Sequence, residues 1–193
     1  MKPIFIGIAG PSTSGKTTIA KKLENLLSDS MVITLDDYWK DSSGFKRKQG
    51  YKNWELPENI DFDLLLANLE DLKKGKETSI PICEKFKFKE YKKIKPKKFI
   101  ILEGFLLFFD KKIREMFDLK IYLDLSEEEI INRRITRSRS EKPEREFYYR
   151  NVVVEEHKKY GEPTKKYSDL IIDGKGEIKE SLKNILEKLK EYK

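Results

Sequence analysis

The sequence predicts an α/β fold in three layers. A five-stranded parallel sheet carries helices on both faces, with a small β-hairpin and a short lid added to it. Two observations carry this reading. Five short apolar runs, at 4–9, 31–35, 99–102, 119–123 and 169–172, have the nearly unbroken hydrophobicity of strands buried on both faces. Between them lie segments whose apolar residues recur at helical spacing, and strands alternating with helices build a parallel sheet.

The first run leads straight into Gly10-Pro-Ser-Thr-Ser-Gly-Lys-Thr17. This is G-x-x-x-x-G-K-[ST] between a strand and a helix, the setting in which the motif binds phosphate and the fold is of P-loop NTPase type. Gly10 and Gly15 let the backbone turn tightly and approach an anion without a Cβ in the way. The amides of the loop and the following helix N-terminus point at phosphate oxygens. Gly10, Ser12, Thr13, Ser14, Gly15, Lys16, Thr17 and Thr18 are therefore expected to hold ATP, with Lys16 reaching its outer phosphates. The Thr17 hydroxyl suits a phosphate-bound magnesium ion that keeps most of its waters.

The helix after the loop has Ile19, Ala20, Leu23, Leu26 and Leu27 on one side. The second run ends in Asp36-Asp-Tyr-Trp39. Carboxylates at the carboxyl end of a strand lie where an open α/β sheet binds its ligand, although Asp is also common in turns and caps. Residues 40–52 are polar and aperiodic and read as a loop. Asp61 caps an amphipathic helix carrying Leu64, Leu65, Leu66, Leu69 and Leu72. Short strands are expected at 79–83 and 85–89, a hairpin insertion within 78–96. It lies either over the cleft or as an edge guarded by Lys.

The run at 99–102 ends in Glu103-Gly104, an apolar strand delivering a carboxylate to its end, and such an acid can hold magnesium through water. A short helix follows at 110–116. Ser126-Glu-Glu-Glu129 opens a helix by capping-box logic, and that helix carries Arg133, Arg134, Arg137 and Arg139. Arg makes forked contacts to phosphates, though a solvated face paired with Glu has the same composition. The stretch 138–146, with Pro143, reads as a lid between this helix and another at 147–160. An amphipathic helix at 178–192 closes the chain.

Length and composition set bounds. The 193 residues read as one domain, 1–193. The net charge is +7, with Lys spread along the chain among Glu, so an interspersed surface accounts for it. Nucleic acid is not an expected partner, since only 85–98 offers a basic patch with aromatics. No apolar stretch approaches a membrane span, Glu103 and Asp110 interrupting the longest. Cys83 is the one cysteine and His157 the one histidine, which excludes an internal disulfide and a zinc cluster. A cytoplasmic location is expected.

Taken in order, these stretches resemble the uridine kinase family of P-loop nucleoside kinases over nearly the whole chain. Besides the loop, the marks are Asp36-Asp-Tyr-Trp39, Asn53-Trp-Glu-Leu-Pro-Glu-Asn-Ile-Asp61, Ile100-Ile-Leu-Glu-Gly104, Arg133-Arg-Ile-Thr-Arg137 and the tail from His157 to Ile172. The resemblance implies transfer of the ATP γ-phosphate to the 5′-hydroxyl of a ribonucleoside, uridine or cytidine, with Mg²⁺. It implies Asp36 as the base for the hydroxyl proton, Lys16 on the phosphates, Thr17 and Glu103 on magnesium, and Arg134 and Arg137 as charge-neutralising catalytic residues. It implies Glu55 on the ribose hydroxyls and Trp39, Cys83, Phe88 and Arg134 around the acceptor. A homo-oligomer is compatible with it. Departures are present: Cys83 and Phe88 stand where the family carries Tyr and His, Glu55 replaces an Asp, and the lid lacks Glu-Arg-Gly-Arg. The Asp-Asp-aromatic pair and Glu103-Gly-Phe-Leu-Leu-Phe108 also resemble nicotinamide riboside kinases. A basic RNA-binding protein is the non-enzyme alternative. A GTPase switch is not supported, because no N-K-x-D follows Asp41-Ser-Ser-Gly44.

Overall fold

A computed structural model of the chain describes residues 2–83, 89–138 and 142–192. Its centre is a parallel sheet of five strands: β1 (Ile4–Ala9), β2 (Ser30–Thr34), β7 (Phe99–Gly104), β8 (Leu119–Asp124) and β9 (Leu170–Asp173), in the order β2-β7-β1-β8-β9. The strands β3 to β6, given below, lie outside it. The five expected strands all form, and the structure matches the three-layer reading.

Side chains alternate across the pleat, so one strand feeds two cores. Phe5, Ile100, Leu102 and Tyr122 face one core, which also takes Leu65, Leu69 and Leu72 from α2 (Phe62–Lys73) and Phe108. Ile6, Ile8, Ile101 and Ile121 face the other, against Ile19 and Leu23 of α1 (Lys16–Leu26) and Ile185 and Leu189 of α6 (Ile178–Leu189). β1 and β7 run side by side in register from Ile4↔Phe99 to Ala9↔Gly104, and Thr34 of β2 pairs with Glu103. That register brings the ends of β1, β2 and β7 to one level.

Local capping follows the sequence. Asp61 accepts a bond from the Leu64 N–H at 3.1 Å, opening α2. Asp110 accepts from the Ile113 N–H at 3.0 Å, opening α3 (Lys111–Arg114). Ser126 accepts from the Glu129 N–H at 3.4 Å at the start of α4 (Glu127–Ser138), but the Glu129 carboxylate turns to Arg133 Nε at 2.7 Å. The capping box is therefore half used.

Three expectations need correction. Residues 40–52 contain a minimal hairpin, β3 (Arg47–Lys48) with β4 (Tyr51–Lys52), turned at Gln49 and Gly50, both with positive φ. A Gln-Gly turn is a weaker signal than Asn-Gly or Asp-Gly, so polarity masked it. The insertion hairpin pairs β5 (Thr78–Cys83) with β6 (Lys89–Ile94), from Thr78↔Ile94 to Cys83↔Lys89. Its second strand thus extends beyond the expected 85–89, and 84–88, including Phe88, lie outside the described residues. In the expected lid, 139–141 are outside the described residues, and α5 (Pro143–Tyr148) is already helical. Proline is suited to a first helical turn, where its missing N–H has no intrahelical partner anyway. The helix expected at 147–160 forms, continuous with α5, with wide π turns at Tyr149–Val154 and His157–Gly161. Among the described residues no helix is long and apolar enough to cross a membrane.

Gly7 lies mid-strand in β1, under two aromatic rings. A Cβ there would lie 2.7 Å from the Phe108 ring and 3.0 Å from that of Phe117, both rings being buried. Gly7→Ala should therefore destabilise the fold by about 1–3 kcal/mol through overpacking. The expected readout is a lower denaturant midpoint with an unchanged slope.

Candidate active site

The carboxyl ends of β1, β2 and β7 open into a cleft of about 1160 Å³. Its floor is the loop between β1 and α1. Gly10 has φ 142°, and a Cβ on it would stand 2.3 Å from the Leu123 carbonyl oxygen, so no side chain fits. Thr13 and Gly15 also take positive φ, which curls the loop. The Ser14 hydroxyl is buried without a hydrogen-bond partner. Lys16 folds back over the loop and donates to the Pro11 carbonyl at 2.7 Å. Burial holds its ammonium below the ordinary lysine value, and the carboxylates of Glu103 and Asp36 pull against that shift. An ammonium gathered inside a curled loop beside an unpaired hydroxyl is suited to phosphate oxygens.

Glu103 stands at the end of β7. Its Oε1 accepts from Thr17 Oγ1 at 3.0 Å and from Thr34 Oγ1 at 2.9 Å. One carboxylate thus joins the start of α1, the end of β2 and β7. Thr17, at the start of α1, and Glu103 are brought together by this bond and are the pair able to serve a cation with phosphate and water ligands.

Asp36 sits in the tight 3-10 turn Leu35–Tyr38 that follows β2. Its residue surface is open to the cleft, while protein surrounds it on most sides. Burial, and then the Glu103 charge, push its carboxyl up to about 6. Its neighbour Asp37 points elsewhere, accepting from the Cys83 N–H at 2.9 Å. That bond, with Asn68 donating to Thr78 Oγ1 at 2.8 Å, seats the insertion hairpin on α2 and on the turn.

The far end of the cleft is aromatic. Trp39 stacks on Phe105 with centroids 5.6 Å apart and meets the edge of Trp54 at 5.6 Å. Trp39 is itself buried, so Trp54 and Phe105 expose more of their surface to the cleft. Glu55 pairs with Arg134 at 3.0 Å, both mostly shielded from solvent. From α4, Arg137 also lines the cleft, and α5 adds Arg145 and Tyr148. Arg133 also borders the cleft but is anchored, donating to the carbonyls of Thr13 at 3.2 Å and Gly174 at 3.0 Å.

The cleft therefore brings together Ser12, Thr13, Gly15, Lys16, Thr17, Thr18, Asp36, Trp39, Glu55, Glu103, Arg134 and Arg137. Cys83 is not among its lining residues. Trp54, Phe105, Arg145 and Tyr148 were not foreseen. The first two had a signal in the chain, each lying within two residues of a candidate acid.

Residues 5–179 match the family model described as phosphoribulokinase / uridine kinase family. The chain belongs to that family. It is accordingly a kinase that phosphorylates a hydroxyl. It is 36% identical to a uridine kinase of Clostridium perfringens over 98% of this chain and 96% of that protein. It is 40% identical to a uridine kinase of Brevibacillus brevis over 88% of this chain and 84% of that protein. Its fold is similar to a possible uridine kinase from Bacillus stearothermophilus, with TM-score 0.66 at 22% identity over 90% of each chain.

The Asp36 shift has a measurable sign. Its folded value, about 6, lies above the ordinary 3.8, so the folded state binds the proton more tightly. That contribution is fully present below 3.8 and is lost as pH rises through about 6. Asn imitates the protonated carboxyl. Asp36→Asn should therefore melt at a higher temperature than the parent above pH 6, with the difference vanishing below pH 3.8. Melting curves across this range decide it, and a constant difference would contradict the shift.

Proposed function

We propose that this protein is a nucleoside kinase that transfers the γ-phosphate of ATP to the 5′-hydroxyl of uridine or cytidine. The observation that carries the reading is the meeting, in one cleft, of Lys16 and the curled loop with Asp36 and with the Glu55–Arg134 pair. The relatives named uridine kinase, which align along almost the whole chain, support the acceptor class.

Each part has a task. The loop amides, Ser14 and Lys16 hold the phosphates of ATP. Asp36, with its carboxyl near 6, is ionised at neutral pH yet basic enough to accept a proton. The 5′-oxygen attacks the γ-phosphorus, the bond from that phosphorus to the bridging oxygen breaks, ADP leaves, and the hydroxyl proton passes to Asp36. Thr17 and Glu103 would hold a magnesium ion, which supplies charge neutralisation on the phosphates. Arg134 and Arg137 offset the charge that spreads over the transferring group. Glu55 faces the ribose hydroxyls. Trp54 and Phe105 offer flat apolar surface to the base.

A second reading is nicotinamide riboside as acceptor. It is favoured by the aromatic wall beside three acids, Asp36, Glu55 and Glu103, a setting that welcomes a cationic ring.

The test is ADP release with ATP and magnesium against uridine, cytidine, nicotinamide riboside, adenosine, ribose and no acceptor. Stimulation by uridine or cytidine is expected. Stimulation by nicotinamide riboside alone would replace the first reading with the second, and silence across the panel would remove both. Asp36→Asn should lower kcat by about 10²–10⁴-fold, the usual worth of a general base. Lys16→Ala should lose turnover while its melting temperature holds, whereas a collapsed melting temperature would make Lys16 a structural residue.

A further inference from the structure

A buried carboxylate outside the cleft is linked to Glu55 through two hydrogen bonds. Glu156 lies between the two wide helical turns and is 5% exposed. Its Oε1 accepts from Lys48 Nζ at 2.8 Å and from Asn53 Nδ2 at 3.2 Å. Its Oε2 is buried without a hydrogen-bond partner. Leaving a buried carboxylate oxygen unpaired is costly, so the group needs a reason to be there.

The reason lies on the other side of Asn53. The Asn53 amide oxygen accepts from the backbone N–H of Glu55 at 3.1 Å, and the Glu55 carboxylate meets Arg134 at 3.0 Å. Asn53 is itself 3% exposed, and its carbonyl accepts from Asn59 Nδ2 at 2.8 Å. Its amide is thus oriented at both ends. With Glu156 accepting from the nitrogen, the amide oxygen must face Glu55. A chain of bonds runs from Lys48 through Glu156 and Asn53 to Glu55 and Arg134. It joins three separate parts of the molecule: the small β3–β4 hairpin, the helix beyond α5, and α4.

We propose that Glu156 is a positioning residue for acceptor binding. It fixes the direction of the Asn53 amide, and Asn53 fixes the backbone of Glu55, so that the Glu55 carboxylate is presented at the acceptor end of the cleft. The proposal rests on the reading of Glu55 as the ligand of the acceptor hydroxyls. It also gives the helix beyond α5 a part in acceptor recognition, although Glu156 is not among the residues lining the cleft.

The test reverses the polarity of one bond. N53D sets two carboxylates against each other. N53D/E156Q restores a donor and an acceptor with the roles exchanged, while an oxygen at position 53 still faces Glu55. For N53D we expect the KM for the nucleoside to rise about tenfold, as supporting hydrogen-bond partners of a site do when lost, with the KM for ATP within about twofold. The double variant should recover most of the nucleoside KM, and E156Q alone should show a smaller rise than N53D. An unchanged nucleoside KM in N53D overturns the proposal. So does an equal loss for both substrates, with a lower melting temperature and no recovery in the double variant, since that is the mark of a purely structural bond. If N53D does not fold, E156Q against the parent decides by the same split between the two KM values. If the parent phosphorylates no nucleoside, the acceptor reading fails separately. Crystal structures of the parent and N53D then decide: loss of the Glu55–Arg134 pair supports the proposal, and an intact pair overturns it.

Discussion

The carboxylate of Glu103 is the constraint on which the site depends. By accepting from Thr17 and Thr34 at once, it ties the phosphate loop to β2 and β7. The parallel register makes this inevitable: Ile8 and Thr34 are its neighbours on either side, so the strand ends arrive level. Asp36 then follows two residues after Thr34, in the tight turn that brings its carboxyl close enough to Glu103 to feel its charge. A cation site, a base and a phosphate cradle are therefore one structure built on the ends of neighbouring strands. This is where open parallel sheets place their ligands, because the loops there emerge together.

The arginines of α4 divide their work. All three border the cleft, but Arg133 is tied to the carbonyls of Thr13 and Gly174, while Arg134 pairs with Glu55. Adjacent positions on a helix point about 100° apart, so neighbours in the chain serve different partners. Arg134 is the only one of the three seen paired with the acceptor-side acid Glu55, and its Nε remains buried without a partner. The acceptor end is thus electrostatically balanced by a pair from two distant stretches, and aromatic packing around Trp39 fixes the ground beneath it.

Much of the fold was legible in the sequence. The five apolar runs, the caps Asp61 and Asp110 and the helix pattern all depend on residues close together in the chain. What was misread depended on partners far away or on weak local signals. The strand that pairs with β5 extends to 94, although its Lys-rich stretch shows no alternation of apolar and polar residues to mark it: Tyr91 is exposed and Ile94 buried. Pro143 reads as a break until it is seen at the first position of a helix. Cys83 was expected near the acceptor, yet it does not line the cleft, and its N–H is drawn to Asp37.

The sequence by itself determined the phosphate loop, the sheet and the carboxylates at its strand ends. Each of these is written in contiguous residues, and backbone turn chemistry needs no distant help. Only the tertiary structure decided that Glu55 meets Arg134, that Glu103 joins two hydroxyls, that Trp54 and Phe105 line the cleft, and that Glu156 stands behind Asn53. Those contacts join residues between 69 and 103 positions apart in the chain. Pairings at such separation leave no local pattern, because they are set by how the layers pack.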